Sequence, residues 1–181
     1  WVGRRVAGEI NISCGECDMC LRGLRTHCRK RAVLGLMDYD GAFADVFRLP
    51  VVNLWAVPDA VPADAAVFVE PLAAACQVLE MAPVAPGERV IVVGAGKLGL
   101  LAALVVRLTG ADLAVVARRE RQRALLAGWG IAASSADELE RGAADVVIDC
   151  TGSAEGLAVA LNLVRPRGTI VLKSTYAGRP Q

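Results

Sequence analysis

Histidine is almost absent from this chain of 181 residues: there is one, His27. It lies in a cysteine-rich loop beside Cys28 and reads as a surface residue, and no other side chain presents itself as a proton-transfer base. Aromatic residues make up only 4%, and Lys plus Arg number 20 against 19 for Asp plus Glu. Without a charge field or an aromatic platform, nucleic acid and anionic membranes are excluded as partners, which leaves small molecules or other protein. No repeat, low-complexity tract or signal peptide is visible, which points to the cytoplasm. No apolar run is long enough to span a membrane unbroken, because the nearest, 90–106, is interrupted by Gly94, Gly96, Lys97 and Gly99. A first residue of Trp1 argues that the natural start is missing.

What the chain does have is 55% hydrophobic residues, enough for a good core, and six cysteines. Four of them, Cys14, Cys17, Cys20 and Cys28, fall together in CGECDMCLRGLRTHC. Two short gaps let one tight turn present successive sulfurs to a tetrahedral ion, and the longer third gap lets the loop close the fourth corner. The spacing predicts a structural zinc with no open position. Two disulfides are the alternative, and they need an oxidising compartment. A ferredoxin-type iron–sulfur cluster has a shorter last gap and a following proline, whereas Arg29 follows here. Cys76, in an apolar helical segment, and Cys150, at a strand end, read as buried thiols.

The pattern changes near the middle of the chain. Up to about Pro62 it predicts short β segments at 5–10, 32–36, 42–49 and 53–57. An alanine-rich helix over 71–81 follows, with Pro71 in its first turn, and then strand and helix alternate. Strands are predicted at 89–93, 113–117, 145–149 and 169–173, and helices at 98–108, 120–127 and 154–164. Strands that are apolar throughout and joined by helices imply an α/β fold with a parallel sheet covered on both faces.

The first of these strands runs into Gly94-Ala95-Gly96-Lys97-Leu98-Gly99, a G-x-G-x-x-G loop that opens a helix. In that context Gly94 permits a tight turn, Gly96 lets a pyrophosphate approach the backbone, and Gly99 lets helix pack on strand. The helix N-terminus offers unpaired N–H groups and partial positive charge to phosphate. Lys97 and Leu98 count with the loop as cofactor-binding residues, with the Lys97 side chain expected toward solvent rather than phosphate. The second strand ends not in the acidic residue that accepts from a ribose 2′-hydroxyl but in Arg118 and Arg119, which favours the 2′-phosphate of NADP over NAD. The other reading of two adjacent arginines is an ordinary surface turn.

The segments VAGEINISCGECDMCLRGLRTHC, DGAFADVFRLP, AVFVEPLAAACQ, VIVVGAGKLG and RPRGTIVLKSTY, in this order, resemble the zinc-containing medium-chain alcohol dehydrogenases, closest to the polyol, glucose and threonine dehydrogenase-like branch. The resemblance covers nearly the whole chain. It implies a partial GroES-like β domain with a structural zinc lobe over 1–64. A linking helix and an incomplete Rossmann-type, doubly wound domain for NADP or NAD would follow over 65–181. It implies hydride transfer between an alcohol or carbonyl substrate and the nicotinamide, with a catalytic zinc that binds the alcohol oxygen and lowers its pKa. Glu70, ahead of Pro71, is the candidate third ligand of that zinc; its other reading is an acid favouring a helix N-terminus.

Residues 150–153, including Thr151, and 173–175 would shape the nicotinamide side of the crevice. The family's remaining catalytic ligands lie upstream of the lobe, so the resemblance implies a central fragment, inactive alone and homo-oligomeric when intact. Two rival readings are a non-catalytic nucleotide-binding module with a zinc lobe, and a zinc-independent quinone reductase, whose relatives lack the four-cysteine lobe.

Overall fold

The structure is a computed structural model that describes residues 1–174. The chain divides into two compact units, Trp1–Glu70 and Pro71 onward.

The first unit is held by short pairings. Strand β1 (Val6–Gly8) is antiparallel to β4 (Leu54–Ala56), and β2 (Asn11–Ile12) is antiparallel to β3 (Ala32–Val33). Asn53 is buried and joins the two ladders: its Nδ2 donates to the carbonyls of Glu9 (2.8 Å) and Asn11 (2.9 Å). One-turn helices α1 (Asp18–Leu21) and α2 (Ala63–Ala66) complete the unit.

The expected strand at 42–49 is not formed; these residues run as bends and irregular chain. Phe43, Val46 and Phe47 suit a strand by residue type, but Phe43 and Val46 are exposed, and no described strand supplies the ladder that a strand requires. The other strands predicted here form over fewer residues than expected.

Helix α3 (Val69–Met81) leads into the second unit, where β5 (Arg89–Val93), α4 (Lys97–Arg107), β6 (Asp112–Val116), α5 (Glu120–Gly128), β7 (Ala132–Ser134), β8 (Ala144–Asp149), α6 (Ala154–Leu163) and β9 (Val164–Leu172) follow. The five strands form one parallel sheet in the order β7-β6-β5-β8-β9. Strand β7 was not among the expected strands, being a segment of two alanines and a serine with little hydrophobic signal. Strand β9 begins before the predicted 169, across an irregularity in its pairing with β8 where Arg167 adopts a left-handed conformation.

The unbroken apolar runs 90–93 and 146–148 of the central strands are explained by burial on both faces. Val90 and Val92 of β5, with Val146 and Ile148 of β8, join the core beneath α4 and α5 through Val106 and Leu126. Ile91 and Val93, with Val147, join the opposite core, which α6 closes with Ala160 and Leu163. Ala75 of α3 packs against Ala102 and Val105 of α4.

The expectation that both isolated cysteines are buried fails for Cys76. It falls on the exposed side of α3, between the buried Ala75 and Val78, while Cys150 is half-buried. An alanine-rich helix gives little contrast by which to tell its inner stripe from its outer one.

Candidate functional site

The lobe brings Cys14, Cys17, Cys20 and Cys28 together, with all four sulfurs within 4.8 Å of one another. Individual Sγ–Sγ separations are 3.5 Å (Cys17–Cys20), 3.5 Å (Cys14–Cys28), 3.9 Å (Cys17–Cys28) and 4.0 Å (Cys14–Cys20). A tetrahedral zinc with bonds of about 2.3 Å requires sulfur edges of about 3.8 Å, so this set fits the ion. A disulfide at about 2.05 Å does not fit, and all six cysteines are free thiols.

The backbone N–H groups of Cys14 and Lys30 both point at the Cys28 sulfur at 3.3 Å. N–H groups of Arg29 and Cys20 draw the Cys17 thiol down to about 6, whereas burial pushes Cys20 up to about 11. Outside this shell, Arg29 grips Asp18 in two bonds of 2.6 and 2.8 Å, and Lys30 reaches Glu16 at 2.9 Å. His27 is exposed, beside Thr26 Oγ1, and takes no part.

A second constellation lies at the carboxyl ends of β5, β6 and β8, where the strand order reverses direction and parallel sheets open a crevice. Its volume is about 770 Å³, and it is lined by Gly94, Ala95, Gly96, Arg118, Arg119, Gln122, Arg123, Cys150, Thr151 and Glu155, among others. A wider cleft of about 1050 Å³ in the first unit, beside Phe43 and Phe47, has no phosphate-binding element.

The glycines of the loop differ in what they permit. Gly94 has φ +99°, closed to most side chains, and an added Cβ would sit 2.9 Å from Thr151 Cγ2. At Gly99 a Cβ would fall 1.8 Å from the Gly94 carbonyl oxygen, so the contact between loop and helix exists only for glycine. Gly96 has nothing within 4 Å, which leaves its backbone open to an approaching ligand. Lys97 is exposed, and the Leu98 side chain packs toward Ala75 and Ala102 instead of lining the crevice.

Across from the loop, the turn after β8 is locked from within. Asp149, buried at 3% exposure, accepts from the Thr151 backbone N–H (2.8 Å) and from Thr151 Oγ1 (2.7 Å). That hydroxyl in turn accepts from Ser153 N at 3.2 Å, and Ser153 Oγ caps α6 through Gly156 N at 3.1 Å. Lys173 and Ser174 bond back to the Asp149 carbonyl, whereas Thr175 and Tyr176 lie outside the described residues.

Arg118 and Arg119 stand exposed at the mouth, two and three residues beyond the carboxyl end of β6. Glu155 faces the same crevice; its own backbone N–H and the Ser153 hydroxyl hold its carboxyl below the usual range, with a smaller contribution from the Arg118 charge. Gln122, on the first turn of α5, donates from Nε2 to the carbonyl of Ala95 at 2.6 Å, tying that helix to the glycine loop. Gln122, Arg123, Asp149 and Glu155 belong to no motif that marks them in the sequence. An acid ending an apolar strand was the available signal for Asp149.

Glu70 lies half-buried in the first turn of α3. Among the described residues the four cysteines are the only group of three or more candidate metal ligands, and Glu70 belongs to no such group.

Residues 1–59 match the alcohol dehydrogenase GroES-like domain. Over 190 residues the chain is 33% identical to L-galactonate-5-dehydrogenase of Escherichia coli K12, covering 99% of this chain and 55% of that protein. A zinc-binding dehydrogenase from Sinorhizobium meliloti 1021 solved with NADP superposes with a TM-score of 0.87 at 29% identity, over 99% of this chain and 55% of that one. An alcohol dehydrogenase from E. coli CFT073 complexed with NADH gives 0.83 at 27%, over 93% and 53%. The chain thus spans about half the length of the proteins it matches.

Proposed function

We propose that this chain is part of a zinc-containing medium-chain alcohol dehydrogenase, in keeping with its similarity to the GroES-like domain and to the dehydrogenases above, and that the intact protein is NADP-linked. It would move a hydride reversibly between the carbinol carbon of a small alcohol, polyol or sugar and the nicotinamide ring. The observation that supports the cofactor half is the crevice, where a glycine loop with open approach at Gly96 meets a helix N-terminus and an arginine-bearing turn. When bound, the dinucleotide supplies the hydride acceptor or donor.

The chain's own residues bind and orient it. The first N–H groups of α4 have no intrahelical acceptor and face phosphate charge. Arg118 and Arg119 hold the 2′-phosphate by charge-assisted bonds. Thr151 contributes through its methyl and backbone, since its hydroxyl is already engaged with Asp149 and Ser153.

The cysteine lobe holds one zinc with four thiolates and no open position, so it stabilises rather than reacts. A catalytic zinc does not fit the described residues by themselves, because they assemble no second ligand group. Glu70 is its proposed third ligand in the intact protein, and this chain alone is proposed to be inactive. A cytoplasmic homo-oligomer completes the reading, in keeping with six free thiols. No described helix is long and apolar enough to cross a membrane.

The test is turnover of an alcohol and polyol panel by the intact protein with NADP and with NAD. Glu70→Ala should reduce turnover or zinc occupancy and leave cofactor affinity nearly unchanged. Turnover by the 181-residue chain alone would overturn the assignment of its parts.

A further inference from the structure

We propose that the cysteine lobe is also a site of reversible oxidation by peroxide, at which the four thiolates close into two disulfides, Cys17–Cys20 and Cys14–Cys28, and release the zinc. The inference goes beyond the dehydrogenase reading and rests only on the zinc reading of the lobe.

The sulfur cage is irregular in a particular way. Its two shortest edges, Cys17–Cys20 and Cys14–Cys28 at 3.5 Å each, share no sulfur, whereas Cys17–Cys28 and Cys14–Cys20 stand at 3.9 and 4.0 Å. The four sulfurs are thus already sorted into two couples, and closing both leaves no thiol over. Each couple must close by about 1.5 Å to reach a disulfide of about 2.05 Å, a movement that side-chain rotation supplies. Cys17 is the residue that precedes α1 and Cys20 is the third residue within it, so one turn carries both. That couple can close without displacing the rest of the loop.

Access sets the order. Cys14, Cys17 and Cys20 are half-buried, whereas Cys28 is 7% exposed and its sulfur accepts from the N–H groups of Cys14 and Lys30 at 3.3 Å. A sulfur that is covered and already accepts two hydrogen bonds is the poorer nucleophile, so the Cys17–Cys20 couple reacts first. One thiolate of the couple attacks a peroxide oxygen, giving a sulfenic acid and hydroxide. The other thiolate attacks that sulfur, forming the S–S bond and expelling a second hydroxide, and two protons from solvent turn both hydroxides into water. Sulfur is oxidised, the peroxide is reduced, and no further reactant is needed.

The first disulfide leaves the zinc two thiolates, Cys14 and Cys28, too few to retain it. Those two stay together after the metal leaves, because the Cys14 N–H bonds directly to the Cys28 sulfur. The ion pairs of Arg29 with Asp18 and of Lys30 with Glu16 also tie the turn that carries Cys17 and Cys20 to the segment just after Cys28. A second peroxide then closes the second couple.

The experiment treats the zinc-loaded chain with hydrogen peroxide, both unaltered and as C76S, which removes the exposed thiol that could link two copies. Zinc release is followed with a chromogenic chelator. Disulfides are read by differential alkylation and tryptic mapping, which places Cys14, Cys17 and Cys20 in the peptide 6–22 and Cys28 in 26–29. About one zinc should leave for each Cys17–Cys20 disulfide formed. The Cys14–Cys28 bond, which joins the two peptides, should follow at least about threefold more slowly. Dithiothreitol with added zinc should restore at least about 90% of the metal. Any other pairing, sulfinic acids in place of disulfides, or metal that reduction does not restore would overturn the proposal. Zinc retained under peroxide that oxidises Cys76 of the unaltered chain would overturn it as well. If the chain as isolated holds no zinc, the zinc reading of the lobe fails and this inference with it. If zinc is present and resists peroxide, only the oxidation falls.

Discussion

Two alanine substitutions in the same glycine loop should have opposite consequences, one structural and one functional. In Gly99→Ala the new Cβ would lie 1.8 Å from the Gly94 carbonyl oxygen, 3.0 Å from its carbon and 3.3 Å from Cys150 Cβ. A carbon–oxygen contact settles at about 3.3 Å, so α4 and the loop must separate by about 1.5 Å. Neither is a flexible side-chain end. The obstacle is backbone, and the same face of α4 is anchored in the core by the buried Ala103 and Val106.

Overpacking of this kind costs about 3 kcal/mol, and the helix propensity gained by replacing glycine offsets about 1 kcal/mol of it. The net loss of about 2 kcal/mol should move the urea midpoint of the dinucleotide unit down by about 1 M. Gly96→Ala meets nothing within 4 Å, and its φ of −75° suits any residue. Its stability should stay within about 0.5 kcal/mol of the parent. Its methyl group, however, would stand where a pyrophosphate must approach, and NADP binding should weaken at least about tenfold, or about 1.4 kcal/mol. Urea titration and cofactor titration of the two variants read the two effects separately. A stable Gly99→Ala chain, or unchanged NADP affinity in Gly96→Ala, would refute the account of the loop.

Metal analysis should find about one zinc per chain, and replacing any of Cys14, Cys17, Cys20 or Cys28 by serine should open the lobe to proteolysis while the sheet unit, with its own core, still unfolds cooperatively. Arg118→Asp should erase or reverse a preference for NADP of about ten- to hundredfold, because the new carboxylate repels the phosphate and accepts from a ribose hydroxyl; equal wild-type affinities for NADP and NAD would defeat this. Asp149→Ala should destabilise the sheet unit by about 1–3 kcal/mol, since two donors of Thr151 lose their buried acceptor, and Asp149→Asn should cost less. Asp145 is held below the usual carboxylate range by Arg165 and by the Arg89 N–H, so its contribution is present above its unfolded pKa of about 4 and fades as pH falls through the lower folded value. Asp145→Asn should therefore lower stability at pH 7 and flatten the acid side of the pH–stability curve.

The sequence by itself determined the parts whose physics is local or periodic. Apolar residues at every position of 90–93 and 146–148 implied burial on both faces, and the cysteine spacing implied a closed thiolate cage within one short loop. Glycines at 94, 96 and 99 between a strand and a helix located the crevice. Tertiary structure decided the rest. The strand expected at 42–49 did not form, because pairing depends on a neighbour that sequence does not name. Cys76 faced outward because an alanine-rich helix hides which side is buried. The exclusive need for glycine at 99 follows from the path of the Gly94 carbonyl. Gln122 acquired its partner, the Ala95 carbonyl, only when turns far apart in the chain met at the carboxyl ends of the strands. A side chain's burial, its partner and the charge it faces are properties of that meeting, and no periodicity along the chain encodes them.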